Sequence, residues 1–136
     1  MDIGKILVIM DMEHGDCTGL MGKILDFISL FKAKDVDVLV VLESVKKMED
    51  VAISFGMPFD PNTKEDSVKR IADRLRHMFP KDINANFHIK VGYFDEELEN
   101  ISKELNPDIF LMACDNFKKD LSKFAKSAGK PILLIN

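Results

Sequence analysis

The sequence predicts an α/β protein built on a doubly wound parallel sheet with helices on both faces. Continuous apolar runs rich in branched residues are typical of strands covered on both sides, and segments with helical spacing alternate with these runs. Such alternation indicates parallel strands joined by right-handed helical crossovers. A length of 136 residues predicts a single domain over residues 1–136.

The first third of the chain predicts two buried strands around one helix. Lys5–Met10 (KILVIM) and Val36–Leu42 (VDVLVVL) are the apolar runs. Between them, Cys17–Lys34 carries an apolar stripe at helical spacing. The apolar residues of this stripe are Leu20, Ile24, Phe27, Ile28 and Phe31.

The middle third is less regular. Glu43–Thr63 contains Gly56, Pro58 and Pro61, so we expect mostly loop, with one short helix near Met48–Ser54. Long loops in small domains are usually functional or mobile. A regular helix is then predicted over Lys64–Phe79, ended by the proline that follows it.

The next part predicts a strand with one wet face and then a helix. Ala85–Val91 alternates between apolar residues and Asn86, His88 and Lys90, which is typical of a strand at a sheet edge. Asp95 is the predicted N-cap of a helix that runs to Leu105.

The last third predicts a strand, a helix and a final strand. Ile109–Ala113 is a buried strand, Asn116–Ala128 a helix ended by Gly129, and Pro131–Ile135 (PILLI) the last strand. In doubly wound sheets the ligand lies at the carboxyl ends of the strands, where the strand order reverses.

The composition limits the partners and the compartment. A net charge of −4 argues against a nucleic acid or an anionic membrane as partner, because both require a basic field. Two cysteines make no disulfide framework. The first apolar run is too short for a signal peptide or a membrane span, so we expect a cytoplasmic protein.

The order and spacing of these segments resemble the universal stress protein family. The resemblance rests on "KILVIMD", "DVDVLVVLESV", "IKVGYFDEELENISKELNPDIFLMA" and "GKPILLIN". It implies a five-stranded parallel sheet in the order 3-2-1-4-5, the Rossmann-like fold of adenine nucleotide alpha hydrolases. It also implies stress-response activity and a homodimer.

Nucleotide-binding members of that family suggest which residues would line a site. Asp11 matches the aspartate that ends strand one, and Leu42 and Glu43 end strand two. Met112 and Ala113 end strand four. Beyond them the resemblance adds candidate phosphate contacts, namely Asn116, Lys118 and Lys119.

The phosphate loop itself departs from the family pattern G-x2-G-x9-G-[S/T]. Its first glycine falls on Ala113 and its second on Asn116, and the last two positions fall near Lys118 and Lys119. The nine-residue spacer is therefore nearly absent. A triphosphate cradle needs several inward N–H groups, with glycine where φ is positive or the backbone comes close. We therefore expect no conventional ATP binding.

Three functional hypotheses remain from the sequence. The first is a non-catalytic regulatory or binding domain that needs no cofactor and acts as a dimer, through contacts with a protein partner or a smaller ligand at the strand ends. The second is an atypical site for AMP, ADP or ATP at the ends of strands one and four, with weak hydrolysis as a special case. The third is a thiol or metal sensor using Cys17 and Cys114, with His14 as a further ligand.

The last strand predicts how the chain assembles. Ile132, Leu133, Leu134 and Ile135 form an entirely apolar strand that the implied order puts at the sheet edge. Apolar edges are normally protected. Pairing of this strand with its own copy about a two-fold axis would protect it, so we expect a homodimer through these residues.

Overall fold

The computed structural model describes residues 4–10, 17–33, 35–113, 126 and 128–135, with backbone only for Cys17 and Thr18. The strands are β1 (Lys5–Met10), β2 (Asp35–Leu42), β3 (Ala85–Val91), β4 (Ile109–Ala113) and β5 (Ile132–Ile135). The helices are α1 (Met21–Phe31), α2 (Val45–Ser54), α3 (Lys64–Arg76) and α4 (Phe94–Leu105), with 3-10 turns at Cys17–Leu20 and Pro61–Thr63.

The five strands form one parallel sheet in the order β3-β2-β1-β4-β5. This confirms the predicted fold class and strand order. At the centre, Met10 of β1 pairs with Val40 of β2 on one side and with Ala113 of β4 on the other. The order reverses between β1 and β4, so the crevice that doubly wound folds use for ligands lies at the carboxyl ends of these two strands.

Side chains of the strands alternate between two apolar clusters, one on each face of the sheet. The α1 face includes Ile24 of α1, Met48 of α2 and Ile71 of α3. The α4 face includes Leu98 and Ile101 of α4. Burying side chains of this size contributes about 1.5–3 kcal/mol each, so the sheet is held from both sides.

Helix α2 confirms the short helix expected near Met48–Ser54 and extends it by three residues at its N-terminal end. It begins at Val45, earlier than the short helix expected near Met48. The cause is a local cap, because the Ser44 hydroxyl accepts the Lys47 N–H at 3.2 Å and satisfies a free donor of the first turn. Met48, Val51 and Ala52 then bury one face of the helix.

Other helix boundaries also differ from the prediction. The predicted helix Cys17–Lys34 is a 3-10 turn followed by α1, and Lys32 ends it with a φ of +53°. Helix α3 ends at Arg76, short of Phe79. The predicted cap Asp95 is wrong, because Asp95 lies inside α4, which begins at Phe94. Phe94 is buried against the α4 face, and Tyr93 stands at the N-cap with no side-chain bond.

The structure describes only part of the C-terminal segment for which elements were predicted. The predicted helix Asn116–Ala128 lies almost wholly outside the described residues. Gly129 has a φ of +64°, which suits the C-cap expected there. Strand β5 begins at Ile132, one residue after Pro131. In the described ranges, no helix is long and apolar enough to cross a membrane.

Candidate functional site

The carboxyl ends of β1, β2 and β4 define the candidate site. Three of the predicted site residues at this edge are fully buried: Leu42, Met112 and Ala113 are each no more than 1% exposed. Leu42 and Ala113 pack into the α1 face, and Met112 packs into the α4 face. Their side chains are therefore part of the core, and only their backbone groups can meet a ligand.

The end of β2 is also tied to the end of β3. The Leu42 carbonyl accepts the Gly92 N–H at 2.9 Å. The next residue, Glu43, is exposed and follows β2 at this edge.

The remaining predicted contacts lie outside the described residues. They are Asp11, Asn116, Lys118 and Lys119, together with His14 and Cys114. Cys17 lies in the 3-10 turn before α1, and the structure describes its backbone but not its side chain. The predicted ligand set and the predicted cysteine pair therefore stay predictions.

A metal site is one of the alternatives that the sequence suggests. In the described part of the chain, no three His, Cys, Asp or Glu side chains are grouped closely enough to hold an ion. The ligands that the sequence suggested, His14, Cys17 and Cys114, are not among the side chains described.

The first turn of α2 adds a charged cluster beside the β2 end. The Lys46 ammonium lies 3.3 Å from Asp50 Oδ1 and 3.7 Å from Glu49 Oε2. The hydrogen bond to Asp50, with the charges of Asp50 and Glu49, raises the pKa of Lys46 above its ordinary value. Lys46 already forms ion pairs with two carboxylates of its own helix. We therefore do not count it among the ligand contacts of the candidate site.

One polar pair was missed by sequence reasoning. Asp37 of β2 is only 7% exposed, and its Oδ1 lies 2.9 Å from Nε2 of His88 on β3. The sequence did contain an indication of this pair, because an aspartate stands inside the apolar run VDVLVVL. Asp37 is five residues before Leu42, or about 16 Å away along the strand at about 3.3 Å per residue. The pair therefore ties β2 to β3 and takes no part in the candidate site.

Comparison of the sequence with known proteins finds a similar universal stress protein. No protein-family model matches the chain. A universal stress protein of Aquifex aeolicus (strain VF5) is 29% identical over 114 residues, which cover 81% of this chain and 84% of that protein. The chain resembles universal stress proteins in sequence. This confirms the predicted resemblance to the family, while the absence of the phosphate loop stays a prediction.

Solved structures of universal stress proteins share the fold. UspA from Lactobacillus plantarum superposes with a TM-score of 0.60 at 14% identity, covering 100% of this chain and 99% of that one. A family protein from Arabidopsis thaliana, solved with AMP bound, gives a TM-score of 0.57 at 13% identity, covering 97% and 90%. At these identities the likeness shows the universal stress protein fold and leaves the ligand to be argued from the site.

Proposed function

We propose that this universal stress protein-like chain is a non-catalytic regulatory or binding domain of the stress response that does not bind ATP in the conventional way. One domain over residues 1–136 and a cytoplasmic location remain part of this proposal. The observation that carries it is the length of the connection between β4 and β5. Residues 114–131 are all that lies between Ala113 and Ile132.

In a nucleotide-binding member, the connection between β4 and β5 must contain both the phosphate loop and the crossover that returns the chain to the start of β5. Because β4 and β5 are parallel neighbours, the chain must cross back over the sheet, which takes about a dozen residues or more. Too few residues are then left for a phosphate loop with a nine-residue spacer. The length is the stronger argument, since the Ala113 methyl group is packed into the α1 face and does not itself obstruct a ligand.

Calorimetric titration of the purified protein with ATP, ADP and AMP, with and without Mg²⁺, tests this proposal. We expect no micromolar binding of ATP. Micromolar ATP binding would refute it and would mean that another part of the chain, or a second copy, supplies the missing phosphate contacts.

The alternative is an atypical site for a smaller adenine nucleotide. The reversal of strand order between β1 and β4 favours it, because that position is where doubly wound folds hold ligands. The AMP bound in the Arabidopsis thaliana relative also supports it. Asp11 would meet the base, and Asn116, Lys118 and Lys119 would meet a mono- or diphosphate.

Two variants separate this alternative from the first proposal. If AMP or ADP binds, Asp11→Asn should weaken the binding of every adenine nucleotide. A double Lys118→Ala, Lys119→Ala variant should weaken ADP more than AMP, because ADP carries more negative charge. Equal binding by all forms would place the nucleotide elsewhere and refute the alternative.

The partner that we propose is first a second copy, paired through β5. Leu134 is 57% exposed in this edge strand, and Ile132 and Leu133 are half-buried. Ile135 is buried in the α1 face. Because Phe110 N–H bonds to the Pro131 carbonyl, the odd-numbered residues of β5 bond to β4, and the outward backbone groups are those of Ile132 and Leu134. A dimer through these residues would cover the apolar edge. Such a dimer would leave other surfaces for a protein partner.

A further inference from the structure

The second free edge of the sheet is β3, and its hydrogen-bonding groups divide by residue parity. The bonds at its two ends run from Val36 N–H to the Asn84 carbonyl and from Gly92 N–H to the Leu42 carbonyl. With the parallel register between these strands, even-numbered residues of β3 bond to β2. The N–H and C=O groups of the odd-numbered residues therefore point away from the sheet.

One of these outward groups is already occupied. The carbonyl of Ala85 accepts a hydrogen bond from Nη1 of Arg76 at 3.3 Å. The guanidinium carbon of the same arginine lies 5.1 Å from the ring centroid of Phe87. That ring is held in turn by an edge-to-face contact with Phe79, at 5.4 Å between centroids. Arg76, at the end of α3, thus lies along the open side of β3.

We propose that Arg76 is an edge guard that keeps β3 from pairing with a strand of a second copy. An incoming strand needs the outward carbonyl of Ala85 and the space over Phe87, and both are taken by a charged group. Displacing the guanidinium would remove its hydrogen bond and its ring contact together. The exposed Lys90 adds a second charge on this strand, and charged side chains are a common protection of edge strands.

This guard goes beyond the proposed function and does not depend on it. It gives the two edges opposite roles, since β5 presents the exposed Leu134 while β3 is covered by a cation. Removing the guard should let β3 pair with its own copy, and where β5 also pairs, the two contacts together permit open-ended assembly.

The test is Arg76→Ala, measured by sedimentation over a range of concentrations against the unaltered protein. We expect the average mass to rise by at least roughly twofold with concentration, because each new edge contact joins two particles. The outward amides of Phe87, Ile89 and Val91 should become protected from hydrogen exchange in the assemblies. Arg74→Ala, an exposed arginine on the same helix, is the matched control and should keep the mass of the unaltered protein.

A second change identifies the edge that associates. Val91→Pro removes one outward N–H without removing a bond to β2, so Arg76→Ala, Val91→Pro should return towards the original mass. If Arg76→Ala does not fold by circular dichroism, Arg76→Gln serves in its place. A folded variant with unchanged mass overturns the proposal. Association without protection of the three amides, or association that the proline leaves intact, also overturns it.

Discussion

Asp37 and His88 hold two neighbouring strands together through one side-chain bond, 2.9 Å long, on the face of the sheet that α4 covers. Leu39, the register partner of His88, is two residues from Asp37, so the bond runs diagonally between β2 and β3. A carboxylate only accepts hydrogen bonds, so His88 presents Nε2–H to it. Asp37 is buried at a position where an apolar residue would otherwise be expected.

Replacing His88 with alanine should destabilise the fold. The Asp37 carboxylate would keep its burial and lose this donor, which costs about 1–3 kcal/mol for an unsatisfied buried group. Urea unfolding followed by circular dichroism measures the change. Lys90→Ala, at an exposed position of the same strand, should stay within about 0.5 kcal/mol.

A double variant distinguishes lost bonding from lost packing. Asp37→Val, His88→Val removes both partners and should recover much of the loss, because paired apolar replacement is often nearly neutral. A double variant that is less stable than His88→Ala would show that the bond is not the source of the effect.

Leu134 is the residue whose substitution should report on self-association. In Leu134→Lys, a charge would enter the apolar β5 edge, and like charges would face each other across the two-fold axis. We expect the proposed dimer to dissociate to a monomer, measured by light scattering after gel filtration. Leu30→Lys on α1 is the matched control, since Leu30 is also exposed and belongs to a helix and not to the sheet edge. Dissociation of both variants, or of neither, would remove the support for the β5 interface.

Lys46 gives a prediction for pH. Its pKa is raised from the ordinary 10.5, first by the hydrogen bond to Asp50 and then by the charges of Asp50 and Glu49. A raised pKa in the folded state means that the interaction stabilises the protein below pH 10.5 and is lost as the pH rises through the raised value. The group is exposed, so the contribution is small and is screened by salt.

An NMR titration of the Lys46 side chain checks this directly. Asp50→Asn should lower the midpoint of the titration, and Glu49→Gln should lower it less, in the order of the two causes. An Asp50→Asn protein with the midpoint of the unaltered protein would contradict the assignment.

Lys32 ends α1 in a left-handed conformation that suits glycine. Its φ is +53°, and the N–H of the next residue, Ala33, reaches back to the Ile28 carbonyl at 3.4 Å. The left-handed conformation costs most residues roughly 1–2 kcal/mol, while glycine loses roughly 0.5–1 kcal/mol of backbone entropy on folding. Lys32→Gly should therefore raise stability by about 0.5 kcal/mol.

Thermal unfolding measures this gain, and Asn106 provides the control. Asn106 ends α4 with a φ of +47°, but asparagine tolerates this conformation. Asn106→Gly should consequently change stability little. An equal gain in both variants would mean that relief of strain at Lys32 is not the cause.

The sequence by itself determined the five strands and their class. Lys5–Met10 and Ile109–Ala113 could be predicted because a strand buried on both faces must be apolar throughout, and that requirement is visible in a single run of residues. Ala85–Val91 was predicted as an edge strand for the opposite reason, because its alternation recorded one wet face. The strand order followed from the family resemblance and agrees with the structure.

Tertiary structure decided the features that join distant residues. The bond between Asp37 and His88 and the contact of Arg76 with Ala85 depend on register, which sets which side chains meet across strands. A local pattern cannot encode that. The start of α4 at Phe94 was decided in the same way, because burial of its ring on the α4 face outweighed the capping preference of Asp95. Local spacing thus determined the elements, while the packing of one element on another determined the contacts that hold and protect them.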